Sequence, residues 1–285
     1  MESLSSSHHP SASVVTIYET DTYRIRYPTS VEELLCYPAY DEGGIPPKSI
    51  FDQMVDAQME DISVVVFGID KGLVVELTQP NLQGFIESDC LLLVEDKATK
   101  LVVASFQLNR MLSSGATIMS AEVSKRMLNE SNIKAFQGIT QDYIPRQARE
   151  NAPLLFGMEM ALLNSVAVFH PFRGKGISNV IYQACDEMLI FGGLRKSQPD
   201  FEGDLHPISS LHVMCSAPET IHLCKKYGYE MYSKFIYEER KTIIEGYGQV
   251  ADYREVAWGL ENEIVKSRFR EVPCIEYYAK EAPNY

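Results

Sequence analysis

The stretch VAVFHPFRGKGIS, Val166 to Ser178, restricts what this chain can become more than any other. An apolar, β-branched run ends at His170-Pro171, and a proline there cannot continue a strand ladder because it has no N–H to give. Arg173, Gly174, Lys175 and Gly176 follow. From Ile177 onward, Val180, Ile181, Ala184, Met188 and Phe191 recur at steps of three and four, which predicts an amphipathic helix closing at Gly192-Gly193. Strand, glycine turn and helix in that order build an anion site. The first helical turn leaves backbone N–H groups unpaired, and the macrodipole adds partial positive charge. Glycine lets the backbone approach a phosphate that a Cβ would hold off. The stretch is neither GxxxxGK[ST] nor GxGxxG, so the nucleotide-binding loops that carry those patterns are excluded.

Composition narrows the classes of partner. A net charge of −13 over 285 residues disfavours binding along nucleic-acid phosphates and suits a cationic small molecule. No apolar stretch is long enough for a membrane span, and the start, MESLSSSHHPSASVV, reads as a tail over residues 1–20 rather than a secretory leader. The six cysteines have no CxxC spacing, which predicts reduced thiols, no structural metal and a cytoplasmic setting.

The rest of the chain reads as mixed α and β. TYRIRY is a strand by its alternation, SVEELLCY a short helix capped by Ser30 with Glu33 completing the cap, and PAYDEGGIPP a loop. KSIFDQMVDAQME is a helix with Ile50, Met54 and Met59 on one face; DISVVVFGID and GLVVELTQP read as strands. CLLLVED and LVVASFQLN flank the polar turn KATK and form a hairpin. Two polar helices fill about 110–150, and PLLFGMEMALLNSVAVF supplies a central strand. SSLHVMCS is a buried strand, Glu219 to Tyr227 a helix stopped by Gly228, and YEMYSKFIYEER a further strand. After about 240 a helix-like ENEIVKSRF stands out, and the Tyr-rich C-terminal segment reads as a packed strand.

The glycine stretch matches R-x-x-G-x-G/A, with Arg173 and Gly176 in place and Ser178 where a Gly or Ala is usual, and so resembles the pyrophosphate signature of the GNAT acetyltransferases. VAVFHP before it, HVMCSAPETIHLCKKYGYE after it and the hairpin at 90–109 extend the resemblance over residues about 20–240. The bacterial form of the family carries an Asn and a Tyr where this chain has Ala217 and Cys224. Cys215, Ser216 and Thr220 look instead like the arylalkylamine (dopamine) N-acetyltransferases of insects and related invertebrates. Asp41-Glu42 stands where that branch has its acidic motif, with Gly43-Gly44 replacing its Pro-Leu.

The resemblance implies an α+β GNAT fold: one domain over 21–285, with a mixed central sheet, flanking helices and a splay between the fourth and fifth strands. It implies acetyl-CoA as acyl donor, held by Val166, Ala167 and Val168 along the pantetheine arm and by Arg173, Gly174, Lys175, Gly176, Ile177 and Ser178 at the pyrophosphate. A small arylalkylamine would be the acceptor, with Glu42 as general base and Ser216, Thr220 or Cys224 orienting water or protonating the leaving thiolate. The protein would act as a monomer or weak homodimer without metal, nucleic acid or membrane. Two alternatives stay open: a polyamine or protein amine as acceptor, and a non-catalytic acyl-CoA binder.

Overall fold

A computed structural model describes residues 16–36, 38–40, 48–61, 64–65, 69–87, 89–111, 138–157, 160–190, 208–236, 244–246, 249–251 and 274–282. The hairpin read from CLLLVED and LVVASFQLN is there, as β5 (Leu91–Asp96) and β6 (Val102–Met111). Leu91 to Val94 on β5, and Val102 to Ala104 on β6, are fully buried, so both faces of this pair are covered. That explains apolar runs without alternation. At the turn the Asp96 carboxylate accepts the N–H groups of Ala98 and Thr99 at 2.9 Å each.

Strands add outward from this pair. β2 (Tyr23–Arg26) lies antiparallel to β5, and β1 (Thr16–Glu19) lies antiparallel to β2. β1 therefore falls inside the stretch read as a tail, and the ordered sheet begins earlier than expected. On the other side come β7 (Met160–Val168), β8 (Ser210–Cys215), β12 (Cys274–Glu281) and β9 (Glu230–Ile236), giving the order β1-β2-β5-β6-β7-β8-β12-β9. Only β7 and β8 pair in parallel within it. Two small antiparallel pairs stand outside this sheet: β3 (Pro38–Tyr40) with β4 (Lys48–Ser49), and β10 (Ile244–Gly246) with β11 (Gln249–Ala251).

The N-terminal helices are set by specific side chains. α1 (Val31–Cys36) begins where Ser30 Oγ accepts the Glu33 N–H at 3.2 Å. Glu33 does not close the cap in return. Its carboxylate takes the Thr29 N–H at 2.6 Å and the Arg26 guanidinium at 2.5 Å, while Arg26 also reaches the buried Glu95 at 2.9 Å. This ion network locks α1 to the sheet, and the guanidinium holds the Glu33 carboxyl below its usual range although burial opposes it. α2 (Ile50–Met59) has the full reciprocal cap. Ser49 Oγ accepts the Asp52 N–H at 3.0 Å, and Asp52 Oδ2 accepts the Ser49 N–H at 3.2 Å.

GLVVELTQP departs from expectation. It is helical, α3 (Lys71–Thr78), capped by Asp70 Oδ1 accepting the Leu73 N–H at 3.0 Å. Val64 and Val65 of the preceding run are helical too. The β-branched residues that suggested strands bury one side against the core, and the Asp70 cap outweighs their weak propensity. α4 (Leu82–Glu87) follows. In the polar insert, a π-helical turn (Gly138–Tyr143) leads into α5 (Ile144–Asn151), and residues 112–137 lie outside the described ones. α6 (Ile177–Ile190) and α7 (Pro218–Lys226) form as expected. Among the described residues no helix is long and apolar enough to cross a membrane.

Two cores result. The larger joins α1, α2, α6 and the middle strands. The smaller gathers Ile144, Ala148, Phe156, Ile275, Tyr277 and Ala279 on one face of the β8–β12–β9 half. His212 of β8 is buried beside this second core. Its Nε2 meets Ser210 Oγ at 2.8 Å, its Nδ1 meets Tyr277 Oη at 2.9 Å, and the Phe156 ring lies edge-on at 5.1 Å. Desolvation pushes His212 down to about 4 from its ordinary 6.5. A neutral ring satisfies both partners with one donor and one acceptor.

A pH signature follows. Between pH 6.5 and 4 the unfolded chain binds a proton at His212 that the folded chain refuses. Folding stability therefore falls as pH drops through that window, by about 3 kcal/mol for this group. Urea unfolding of wild type and His212→Gln across the window checks it: the difference between the two curves should grow toward pH 7 by that amount. A constant offset would rule out His212 as the source.

Candidate active site

The site begins where two parallel strands part. Met160 to Leu163 of β7 pair with Ser210 to Val213 of β8, and the ladder stops there. β8 continues to Cys215 against β12, with Met214 opposite Tyr277 and Cys215 opposite Glu276. β7 continues to Val168 against β6, but with one extra residue: Gln107 faces Asn164 while Ser105 faces Ala167. Within this bulge Ser165 has φ +49°, a left-handed conformation that a non-glycine residue adopts at a cost of about 1 kcal/mol. A bulge bends its strand and raises the local twist. From Asn164 to Val168 the β8-facing edge of β7 has no ladder partner among the described residues. Val166 and Val168 on that edge are half-buried and Ala167 is buried.

The glycine turn closes one end of this opening. The Phe169 N–H still bonds Val103 O of β6 at 3.0 Å, and a 3₁₀ turn over His170–Phe172 reverses the chain. Gly174 and Gly176 have φ of +76° and +78°, and a Cβ at either would meet nothing closer than 3.9 Å. Glycine is thus demanded by backbone angle, and the space beside it is open. Phe172 and Ile177 are buried and pin the turn at both ends. α6 starts immediately after, so the amides of Gly176, Ile177 and Ser178 precede its hydrogen-bond ladder and carry the positive end of its dipole. The Lys175 ammonium sits exposed over the Phe172 ring, 5.1 Å from its centre. Arg173 is engaged within the protein: its Nε donates to Val168 O at 3.1 Å, and its guanidinium pairs with the Glu60 carboxylate at the end of α2.

The other sequence-derived residues separate. Ser216, one residue past β8, is half-buried and donates its hydroxyl to Asp61 Oδ1 at 3.1 Å and Oδ2 at 3.2 Å. Ala217 takes the N-cap place of α7 and Pro218 its first position, so Thr220, half-buried in the first turn, does not stand at the cap. Cys224 does not stand on the cleft. It is fully buried, with its sulfur 3.4 Å from Tyr182 Oη and 3.3 Å from Cys215 Sγ. A proton donor for a leaving thiolate must be reachable, and Cys224 is not. Burial raises both neighbours, Cys215 and Tyr182, far above their ordinary range. Glu42 lies outside the described residues, between β3 and β4.

Sequence reasoning missed Glu60 and Asp61. Their only signal is an acidic pair ending the α2 pattern, which is also what a solvated helix end looks like. The Tyr-rich C-terminal segment reads as a packed strand, and it is one: in β12 Ile275, Tyr277 and Ala279 alternate with Glu276, Tyr278 and Lys280, but nothing local says that it pairs with β8. Among the described residues no group of three His, Cys, Asp or Glu side chains is placed to hold a metal ion.

The sequence matches no protein-family profile and no curated protein. Solved structures do match in shape. The protein designated arylalkylamine N-acetyltransferase 7 of the yellow fever mosquito, Aedes aegypti, superposes with a TM-score of 0.58 at 12% identity, over 95% of this chain and 97% of that one. Arylalkylamine N-acetyltransferase 2 of the same mosquito gives 0.51 at 10% identity, over 82% and 94%.

The bulge carries its own prediction. In an ordinary strand Val is favoured over Gly, but at φ +49° the order should reverse. Ser165→Val should lower stability by about 1–2 kcal/mol and Ser165→Gly by less than about 0.5 kcal/mol. Thermal unfolding of the pair checks this, and Val equal to Gly would mean that Ser165 is not held left-handed. The parted parallel strands, the bulge, the glycine turn and these superpositions together make the chain's architecture the α+β fold of the GNAT acyltransferases.

Proposed function

We propose that the protein is an acetyl-CoA-dependent N-acetyltransferase acting on a small arylalkylamine. The observation that carries this reading is the stretch of β7 from Asn164 to Val168, which has no ladder partner on its β8 side among the described residues and leads directly into the left-handed glycines at the start of α6. An open strand edge pairs with an extended, amide-bearing chain, which is what a pantetheine arm offers. The amides from Gly174 to Ser178 take its pyrophosphate, with Lys175 adding charge. Pyrophosphate competes with Glu60 for Arg173, which is already partly neutralised.

Acetyl transfer forms an N–C bond and breaks a C–S bond. The electron pair leaves on sulfur, which needs a proton, and a nitrogen that arrives as an ammonium must shed two. An alkylamine titrates near about 10.4 and arrives protonated, so a base is required. We assign Glu42 as that base, and Thr220 as the hydroxyl that hands a proton toward the departing thiolate. A backbone N–H near Val168 stabilises the oxygen that becomes negative during attack. The net charge of −13 favours approach of a cationic amine.

Thiol release from acetyl-CoA, measured against dopamine, tyramine, octopamine, serotonin, tryptamine, spermidine and a lysine peptide, tests the reading. The aromatic amines should exceed the others in kcat/KM by at least about tenfold. Gly176→Ala should weaken acetyl-CoA by about tenfold, since φ +78° strains any other residue there. Glu42→Gln should lower kcat by about 100-fold or more and leave acetyl-CoA affinity unchanged. Turnover of spermidine or the peptide alone would move the acceptor class. Acetyl-CoA binding without release for any amine would leave a binder in place of an enzyme.

A further inference from the structure

The two residues that follow α2 grip opposite lips of the cleft. Glu60 pairs with Arg173, just past β7, and Asp61 accepts the hydroxyl of Ser216, just past β8. Both contacts join residues more than a hundred positions apart in sequence, 113 for the first and 155 for the second. Neither is a consequence of local chain geometry.

The Ser216–Asp61 contact decides the direction in which Ser216 can work. A hydroxyl has one hydrogen and two lone pairs. With its hydrogen given to a carboxylate, Ser216 cannot also protonate a departing thiolate. What remains is acceptance. A hydrogen bond to an ionised acceptor is stronger than a neutral one, and it leaves the serine oxygen richer in electron density. Both residues are half-buried, so this oxygen is neither sealed in the core nor fully exposed to water.

We propose that Asp61 is a positioning residue that makes Ser216 a proton acceptor for the incoming amine. The inference rests on the acetyltransferase reading and adds a second carboxylate to it. Before attack, the ammonium's proton passes to Ser216 Oγ while the Ser216 hydrogen passes to Asp61, and the freed amine then attacks; the second N–H proton, released as the amide forms, goes to Glu42. Serine ends as it began, the aspartate ends as a carboxylic acid, and that proton then leaves to water. No oxidation or reduction occurs, and the acetyl group, nitrogen and sulfur balance as in the overall transfer. Asp61 thus governs handling of the amine and leaves acetyl-CoA binding to the β7 edge and the glycine turn.

The test uses the full chain with the best amine from the panel. Asp61→Asn, Ser216→Ala and the double variant are compared with wild type from pH 5.5 to 9.5, alongside thermal unfolding and acetyl-CoA affinity. Asp61→Asn should lower kcat/KM for the amine by about 10- to 100-fold at neutral pH, with acetyl-CoA affinity within about twofold. The loss should shrink as pH approaches the amine's own pKa, because the free base has less need of a relay. The double variant should be no worse than either single one, as expected for residues acting as one unit. Losses that multiply, a loss constant across pH, or Asp61→Asn equal to wild type would each overturn the proposal. Should Asp61→Asn unfold, Ser216→Ala decides alone: the same pH-dependent loss supports the relay, and unchanged kinetics overturns it. A wild type that binds acetyl-CoA and turns over no amine refutes the acetyltransferase reading itself, and this inference with it; an active wild type with unaffected variants refutes this inference only.

Discussion

Everything at the site depends on two parallel strands letting go of each other after four residue pairs. Met160–Leu163 and Ser210–Val213 pair, and beyond them each strand follows its other neighbour. β7 keeps to β6 through the bulge at Ser165, while β8 keeps to β12. A strand edge left open is ordinarily a hazard, because its N–H and C=O groups can pair with another chain. Here the open stretch is short, running from Asn164 to Val168, and Arg173 Nε already takes the Val168 carbonyl at its end.

The separated lips still need to be held. α2 does this from outside the sheet, its capping box fixing the start of the helix and Glu60 and Asp61 fixing its end. The α6 side is braced too: Tyr227 at the end of α7 donates its hydroxyl to the Asn179 carbonyl at 3.2 Å, and Lys226 reaches the Asn179 side chain. Beneath the cleft Tyr182, Cys215 and Cys224 fill the core between α6, α7 and β8. Polar atoms at this depth survive because they meet one another. The cleft is therefore an opening whose lips are tied to α2, α6 and α7 by side-chain contacts.

Legibility along the chain followed the range of the interactions involved. The glycine turn was readable because positive φ at Gly174 and Gly176 is a local demand that only glycine meets cheaply. The hairpin and α6 were readable because burial on both faces, or on one helical face, leaves a periodic mark. GLVVELTQP misled because valines pack equally well on a helix when a cap such as Asp70 starts one. Cys224 misled because its place in a motif says nothing about depth, and depth is set by Tyr182 and Cys215.

By itself the sequence determined the local pieces: a β-branched strand, a left-handed glycine turn, an amphipathic helix behind it and the acidic balance of the whole. Those follow from backbone sterics and side-chain periodicity within a few residues. Only the tertiary structure decided that β12, from the far end of the chain, fills the slot beside β8, and that Ser216 gives its hydrogen to Asp61. Such pairings join residues far apart in sequence, and no local propensity records which distant partner a strand edge or a hydroxyl will find.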